Sequence, residues 1–281
     1  MSLNSTDDVT PESPVPSHFM SYAGLDPQVM ILASLFIAMI AVATLVFITK
    51  RQSQSKGNSL ILVGAPDSGK TTIFTSLVYN QTVPTHTSLQ TNSSFIPRSG
   101  SKQPFRIIDI PGHPRIREQF REFVSDAKAL VFIVDANTIS RNGSVVAEHL
   151  HLVMSAIASL PPSHSLPSLI ILAHKADLMR TASGSADSIL LAVNRVQTVL
   201  ERELEKRRLS QSGMGVESMG SEDEKSDVGG LECSGPEATF KFDNWDGGEV
   251  RFLGTSIKEV KVPQGGKPGL FALQDWIEDN M

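Results

Sequence analysis

The 281-residue sequence is short of several things at once. Its single cysteine, Cys233, excludes an internal disulfide framework and a cysteine-based zinc site, and suits a reducing compartment. It has two tryptophans and two tyrosines, and no stretch interleaves aromatic with basic residues, so direct nucleic-acid binding is not expected. The rest is ordinary: 40% hydrophobic and 20% charged residues exclude wholesale disorder, collagen and a long coiled coil. The length allows one domain of roughly 200 residues plus attachments.

Charge is missing locally as well. Residues 1–28 contain no Lys or Arg and four acids, and residues 209–239 contain seven acids against Lys225 alone. The net charge of −5 therefore conceals a mildly basic core carrying an acidic insert. Residues 29–48, VMILASLFIAMIAVATLVFI, contain no charge, amide or proline. Twenty such residues span a hydrocarbon core of about 30 Å as a helix, and a buried core helix would not be apolar on every face for five turns. Ala41-Val42-Ala43 imitates a signal-peptidase site, but the leader before the run is long and acidic and the apolar run continues past it, so an anchor is expected. Lys50, Arg51 and Lys56 follow the run, which places the C-terminal bulk in the cytosol and residues 1–28 outside or in a lumen. That Ser-, Thr- and Pro-rich leader is expected to be disordered and holds one glycosylation sequon at Asn4. Residues 49–59 are a linker, and 60–281 the folded domain.

Leu60 to Val63 reads as a strand, Gly64-Ala65-Pro66-Asp67-Ser68-Gly69-Lys70-Thr71 satisfies GxxxxGK[ST], and Thr72 to Tyr79 reads as a helix. Backbone N–H groups of Gly64, Asp67, Ser68, Gly69, Thr71 and Thr72 can cradle phosphates at a helix N-terminus. Lys70 would reach the β and γ phosphates and Thr71 would ligate Mg²⁺. A strand over Phe105 to Ile108 then delivers Asp109-Ile110-Pro111-Gly112-His113, a DxxG element in which Asp109 holds Mg²⁺ and the Gly112 N–H senses a γ phosphate.

Further strands are expected at 129–135 and 168–173, with a helix from Ser144 to Leu160 between them. The second strand ends in His174-Lys175-Ala176-Asp177, which resembles the [NT]KxD guanine-reading element of small GTPases. A carboxylate at Asp177 accepts from the two adjacent donors of guanine, which adenine lacks, and the Lys175 stem can cover the purine face. His174 stands where Asn or Thr is usual. Two strings compete for the last base-contacting loop. Leu231-Glu232-Cys233-Ser234-Gly235 resembles it as text but lies in the acidic insert, whereas Gly254-Thr255-Ser256-Ile257-Lys258 follows a strand over Glu249 to Leu253 and precedes a helix from Leu270 to Asn280. Context selects Ser256 and Ile257.

These elements in this order resemble the Ras and Arf superfamily. The apolar N-terminal run, DxPGH, the insert before the last strand and Gln274-Asp275-Trp276-Ile277 resemble the Arf-like β-subunit family of signal recognition particle receptors. The resemblance implies a P-loop small-GTPase α/β domain, with a mostly parallel six-stranded sheet and helices on both faces, behind one transmembrane helix in the endoplasmic reticulum. It implies GTP or GDP with Mg²⁺ as ligands and a heterodimer with the receptor α-subunit, which would bring ribosomes to the translocon. A transmembrane-anchored Arf/Sar-like trafficking GTPase is the alternative. The Mg²⁺ ligand from the first switch loop would be Thr87, with Thr85 and Thr91 as rivals. His113 occupies the position that orients the attacking water, yet Pro114 stiffens it and no arginine lies between Thr72 and Ser94, so unassisted hydrolysis should be slow.

Three readings are plainer. His149, His151 and His164 are expected at the surface or half-buried. Residues 201–208 are expected to form a solvated helix face, and 209–239 a disordered insert.

Overall fold

A computed structural model describes residue 28, residue 31 and residues 33–42, 57–97, 104–179, 185–214, 231–233, 239–256 and 269–281. The chain divides into two units, 1–52 and 53–281. In the first, residues 33–42 are helical and expose Leu35, Phe36, Ile37 and Met39, with the Ser34 hydroxyl donating to the Ile31 carbonyl at 2.9 Å. Among the described residues no helix is long and apolar enough to cross a membrane, and the rest of the 29–48 run lies outside them.

The second unit is built on apolar runs too short to be anything but buried strands. They are β1 (Ser59–Gly64), β2 (Asn92–Ile96), β3 (Phe105–Asp109), β4 (Ala127–Asp135), β5 (Ser168–His174) and β6 (Val250–Gly254), in the order β2-β3-β1-β4-β5-β6. Every pairing is parallel except β2 with β3. Alternate residues of the central strands serve opposite faces. Ile61, Val63, Leu130, Phe132, Leu169 and Ile171 pack on one side, and Leu60, Leu62, Val131, Ile133, Ile170 and Leu172 on the other. Both faces are covered, so the strands read as continuous apolar runs rather than as an alternating pattern.

Helix α1 (Lys70–Tyr79) and the last helix, α5 (Phe271–Asn280), cover one face through Ile73, Phe74, Leu273 and Trp276. Helices α3 (Ile139–Ala158) and α4 (Ser185–Met214) cover the other, and α2 (Arg121–Val124) with the 3-10 turn Arg117–Phe120 connects β3 to β4. The chain leaves β1 toward β3 on one side and reaches β4 on the other, so the crevice opens beyond the carboxyl ends of β1, β3 and β4. The sequence does not mark β2, since Asn-Ser-Ser-Phe-Ile is polar and largely exposed at the sheet edge.

Three expectations change. His149 and His151 are buried, because α3 packs on the sheet with the inward spacing of Val146, His149, Leu150 and Val153; only His164 is exposed. The His149 ring meets Phe132 edge-on at 5.3 Å between centroids. The 201–208 stretch is not wholly solvated: Leu204 is fully buried, and Glu205 accepts from Arg208 at 2.8 Å and from the Phe240 N–H at 2.8 Å. The insert is also narrower than expected. Helix α4 runs to Met214, Leu231 is buried, and Cys233 forms a bridge to Trp245. Residues 215–230 and 234–238 of the insert, and the 1–27 leader, lie outside the described residues.

Burial holds His149 neutral, moving its pKa down to about 3 with help from Arg117 and Lys70, and burial also moves His174 down to about 4, helped by Lys175 and opposed by Asp135. An unfolded chain protonates both near the ordinary value of about 6.5. Their contribution to stability is therefore complete above that pH and is lost as pH falls toward 4 and 3. The melting temperature should drop progressively between pH 6.5 and 4, while His149→Leu should retain the pH 7 value and flatten the acid slope. An unchanged slope in that variant would contradict a buried neutral His149.

Candidate functional site

The P-loop runs from the end of β1 to the start of α1, which begins at Lys70, one half-turn before the sequence suggests. Gly69 caps the helix in a left-handed conformation, φ +97°, and any Cβ there would lie 2.6 Å from the His174 ring. Asp67 is left-handed too, at φ 58°. Lys70 is buried and donates to the Ala65 carbonyl at 2.8 Å. Desolvation lowers its pKa to about 8 although Asp109 and Asp67 pull it upward.

β3 carries Asp109 to the same place. Thr71 donates to Asp109 Oδ2 at 2.8 Å, and Asp109 Oδ1 is buried with no hydrogen-bond partner among the described residues. Burial raises the Asp109 pKa, against the Thr71 bond, the Lys70 charge and the nearby Asn92 side chain. The buried Ser68 hydroxyl also has no partner among the described residues. A buried lysine whose charge burial disfavours, beside a buried carboxylate with one oxygen unpartnered among the described residues, is a site prepared for an anion and a hard cation together, and hydroxyl and carboxylate oxygens are the donors such a cation takes.

Loop 85–88 closes one side through three hydroxyl contacts. Thr85 Oγ1 lies 3.0 Å from Thr72 Oγ1, Thr87 donates to Asp67 Oδ1 at 3.5 Å, and Ser88 Oγ lies 2.9 Å from Thr71 Oγ1. Thr87 thus lines the cleft, but its contact is with the P-loop carboxylate; Ser88 meets the Thr71–Asp109 pair, and reading the loop for threonine alone overlooked it. Thr91 lies apart, donating to Gln119 at 3.0 Å. The cleft encloses about 270 Å³ between Gly69 to Thr72, residues 85–88, Gly112 and Lys175.

At the other end, β5 delivers His174, Lys175 and Asp177. His174 is buried with Nδ1 3.0 Å from Thr255 Oγ1. Lys175 Nζ donates to the Asp67 carbonyl at 2.6 Å and to Asp135 Oδ2 at 2.8 Å. Asp177 sits half-exposed in the 3-10 turn Ala176–Leu178. β6 brings Thr255 and Ser256 beside them: the Thr255 carbonyl accepts from Ala176, and Ser256 donates to the Gly269 carbonyl at 3.4 Å. Cys233 belongs to a different surface near Trp245, while Ser234 and Ile257 lie outside the described residues. His113 is exposed and its Nδ1 accepts from the Arg115 N–H at 3.3 Å; it does not line the cleft.

Gly112 closes the back of the site. A Cβ there would come within 2.7 Å of Ala65 C, Gly64 O and Lys70 Nζ, two of them backbone atoms unable to yield. Gly112→Ala should cost about 1–3 kcal/mol and lower the melting temperature by several degrees. Thermal denaturation at pH 7 measures this, and a melting temperature equal to that of the unchanged chain would contradict the close approach.

The family profile of the signal recognition particle receptor beta subunit matches residues 55–248. The receptor's beta subunit from Mus musculus is 34% identical over 187 residues, which is 64% of each chain, so this chain spans just under two thirds of that relative's length. The solved mammalian SRP receptor superposes with a TM-score of 0.60 at 26% identity, covering 79% of this chain and 100% of that one. The Chaetomium thermophilum SRb-GTP/SRX complex shares the fold, with a TM-score of 0.55 at 20% identity over 80% of this chain and 99% of the other. The profile match over more than half of the chain decides the family, and the chain belongs to the signal recognition particle receptor beta subunits.

Proposed function

We propose that the protein is the membrane-anchored, guanine-nucleotide-binding subunit of a signal recognition particle receptor, which recruits the α-subunit to the endoplasmic reticulum for co-translational targeting. The observation that carries this is the pairing of Thr71 with Asp109 beside the buried Lys70, in a cleft that Lys175 also lines, with Asp177 two residues further on in the 3-10 turn Ala176–Leu178. Gly64, Asp67, Ser68 and Gly69 would receive the phosphates, and Thr71 and Asp109, with Ser88 or Thr87, would hold Mg²⁺, which would neutralise phosphate charge there. Asp177 would read guanine, and Ser256 and Ile257 would complete the base pocket. The SRb relative from Chaetomium thermophilum was solved with GTP and SRX, which supports this reading for a shared fold.

The output is partner binding rather than turnover. The loop 85–88 contacts are hydroxyl to hydroxyl or to carboxylate, which a γ phosphate and its cation can exchange for stronger ones, ordering that loop and Gly112 together. With His113 turned to Arg115, unassisted hydrolysis is slow. The apolar run 29–48 would be the anchor, with helical residues 33–42 exposing Leu35 to Ile37, and the basic flank would keep the nucleotide domain cytosolic. Ribosome and translocon would be reached through the α-subunit. A trafficking GTPase of the Arf/Sar kind is the second reading, distinguished by what it captures.

The full chain in detergent should bind GTP and GDP with Mg²⁺ and reject ATP, and Asp177→Asn should shift preference toward xanthine nucleotides. Equal ATP and GTP binding would overturn the base assignment. The α-subunit N-terminal domain should be captured by protein loaded with GTP analogue at least tenfold better than with GDP or by Lys70→Ala. Equal capture in all three would leave a passive tether, and capture of coat components instead would favour the trafficking reading. Protease added outside sealed microsomes should digest the nucleotide domain and spare a fragment of about 5 kDa, which would be the lumenal leader plus anchor; a protected nucleotide domain would reverse the topology.

A further inference from the structure

Asp135, the last residue of β4, makes three bonds with one carboxylate. Its Oδ1 accepts from the N–H groups of Asn137 at 2.9 Å and Thr138 at 3.3 Å, turning the chain off the strand toward α3. Its Oδ2 takes the Lys175 ammonium at 2.8 Å, and the two side chains are 29% and 14% exposed for Lys175 and Asp135. The backbone repeats the link: Asp135 and His174 are partners in the β4–β5 register, and the Ala136 N–H donates to the His174 carbonyl at 3.0 Å. Lys175 itself is left-handed, φ 60° and ψ 35°, a conformation an L-residue keeps only when its surroundings fix it.

The ammonium also donates to the Asp67 carbonyl at 2.6 Å, so the lysine runs as a crossbar from the end of β4 to the P-loop. A lysine stem has four rotatable bonds, and its methylenes present a flat apolar face to a ring only if the head is tied down. The Asp67 carbonyl alone supplies a neutral acceptor from a loop residue. Asp135 supplies the charge, and from the rigid end of a central strand.

We propose that Asp135 is the positioning residue of the base pocket: it fixes the Lys175 head so that the stem lies along the face a purine would cover, and ties that pocket to the P-loop. The proposal rests on reading the cleft as a guanine-nucleotide site. The lysine serves the base, so the effect must be alike for GDP and GTP and must pass through Lys175.

Asparagine separates the carboxylate's two duties, since its carbonyl still accepts from Asn137 and Thr138 but carries no charge for Lys175. In the full chain, Asp135→Asn should weaken both GDP and GTP about tenfold, mainly through faster release, with the Mg²⁺ dependence unchanged and the melting temperature within a few degrees. Combined with Lys175→Met, which keeps the stem and removes the ammonium, Asp135→Asn should cost nothing further. Asp135→Ser, which caps the turn but does not reach the ammonium, should repeat the loss and serves if the asparagine variant does not fold. Unchanged affinity in a folded variant, a loss confined to GTP, or full additivity with Lys175→Met would each overturn the role of Asp135. Failure of the unchanged chain to bind either guanine nucleotide would instead overturn the reading of the cleft, and the proposal with it.

Discussion

Burial of the sheet on both faces is the constraint from which the site follows. With α1 and α5 on one side and α3 and α4 on the other, the middles of β1, β4 and β5 have no surface on which to keep a polar side chain. Polar groups are therefore displaced to the strand ends, Ser59, Lys128 and Ser168 at or next to the amino ends and the groups of the cleft at the carboxyl ends. There Gly64, Asp109, Asp135, His174 and Gly254 each end a strand, and the loops that follow supply the remaining groups. Sheet order then decides which ends meet. Because β1 lies between β3 and β4, the P-loop has Asp109 on one flank and the Asp135–Lys175 pair on the other.

What gathers there is electrostatically incomplete. Burial disfavours the charged forms of both Lys70 and Asp109, and each only partly compensates the other. Asp109 keeps one buried oxygen without a partner among the described residues, and so does the Ser68 hydroxyl. Stability alone does not favour such an arrangement, whereas an anion with a bound cation would satisfy both ends of it. His149 is a second buried titratable group in the same unit, kept neutral against Phe132 and Phe120, and its two ring nitrogens also have no partner among the described residues.

The two ends of the cleft are held differently. Where β5 and β6 end, Lys175 and Thr255 are fixed by an ion pair and by bonds reaching back to β4, β5 and β6. Beside the P-loop, loop 85–88 rests on hydroxyl contacts of 2.9 to 3.5 Å, in an exposed segment outside any strand or helix. A ligand bound between them would meet one rigid end and one lightly held end.

Local patterns determined a good part of this protein by themselves. Gly64 to Thr71, Asp109 to Gly112 and Lys175 to Asp177 impose backbone turns and donor sets that few other residues can supply, and each follows an apolar run that can only be a buried strand, so element order and mostly parallel pairing were legible. Context within the sequence also placed a strand ahead of Ser256, and β6 runs Val250–Gly254. Other features depended on contacts between distant segments. The edge strand β2 exists because β3 offers it a free ladder, not because Asn-Ser-Ser-Phe-Ile favours extension. His149 is buried because of the face α3 turns inward, and Leu231 because the core has room where the insert returns. Ser88 rather than Thr87 reaches Thr71, 17 residues away, and the Asp135 carboxylate joins the Asp67 carbonyl in holding Lys175, 40 residues from Asp135, because hydrogen bonds are set by distances of about 3 Å, and only the packed fold brings such residues to that separation.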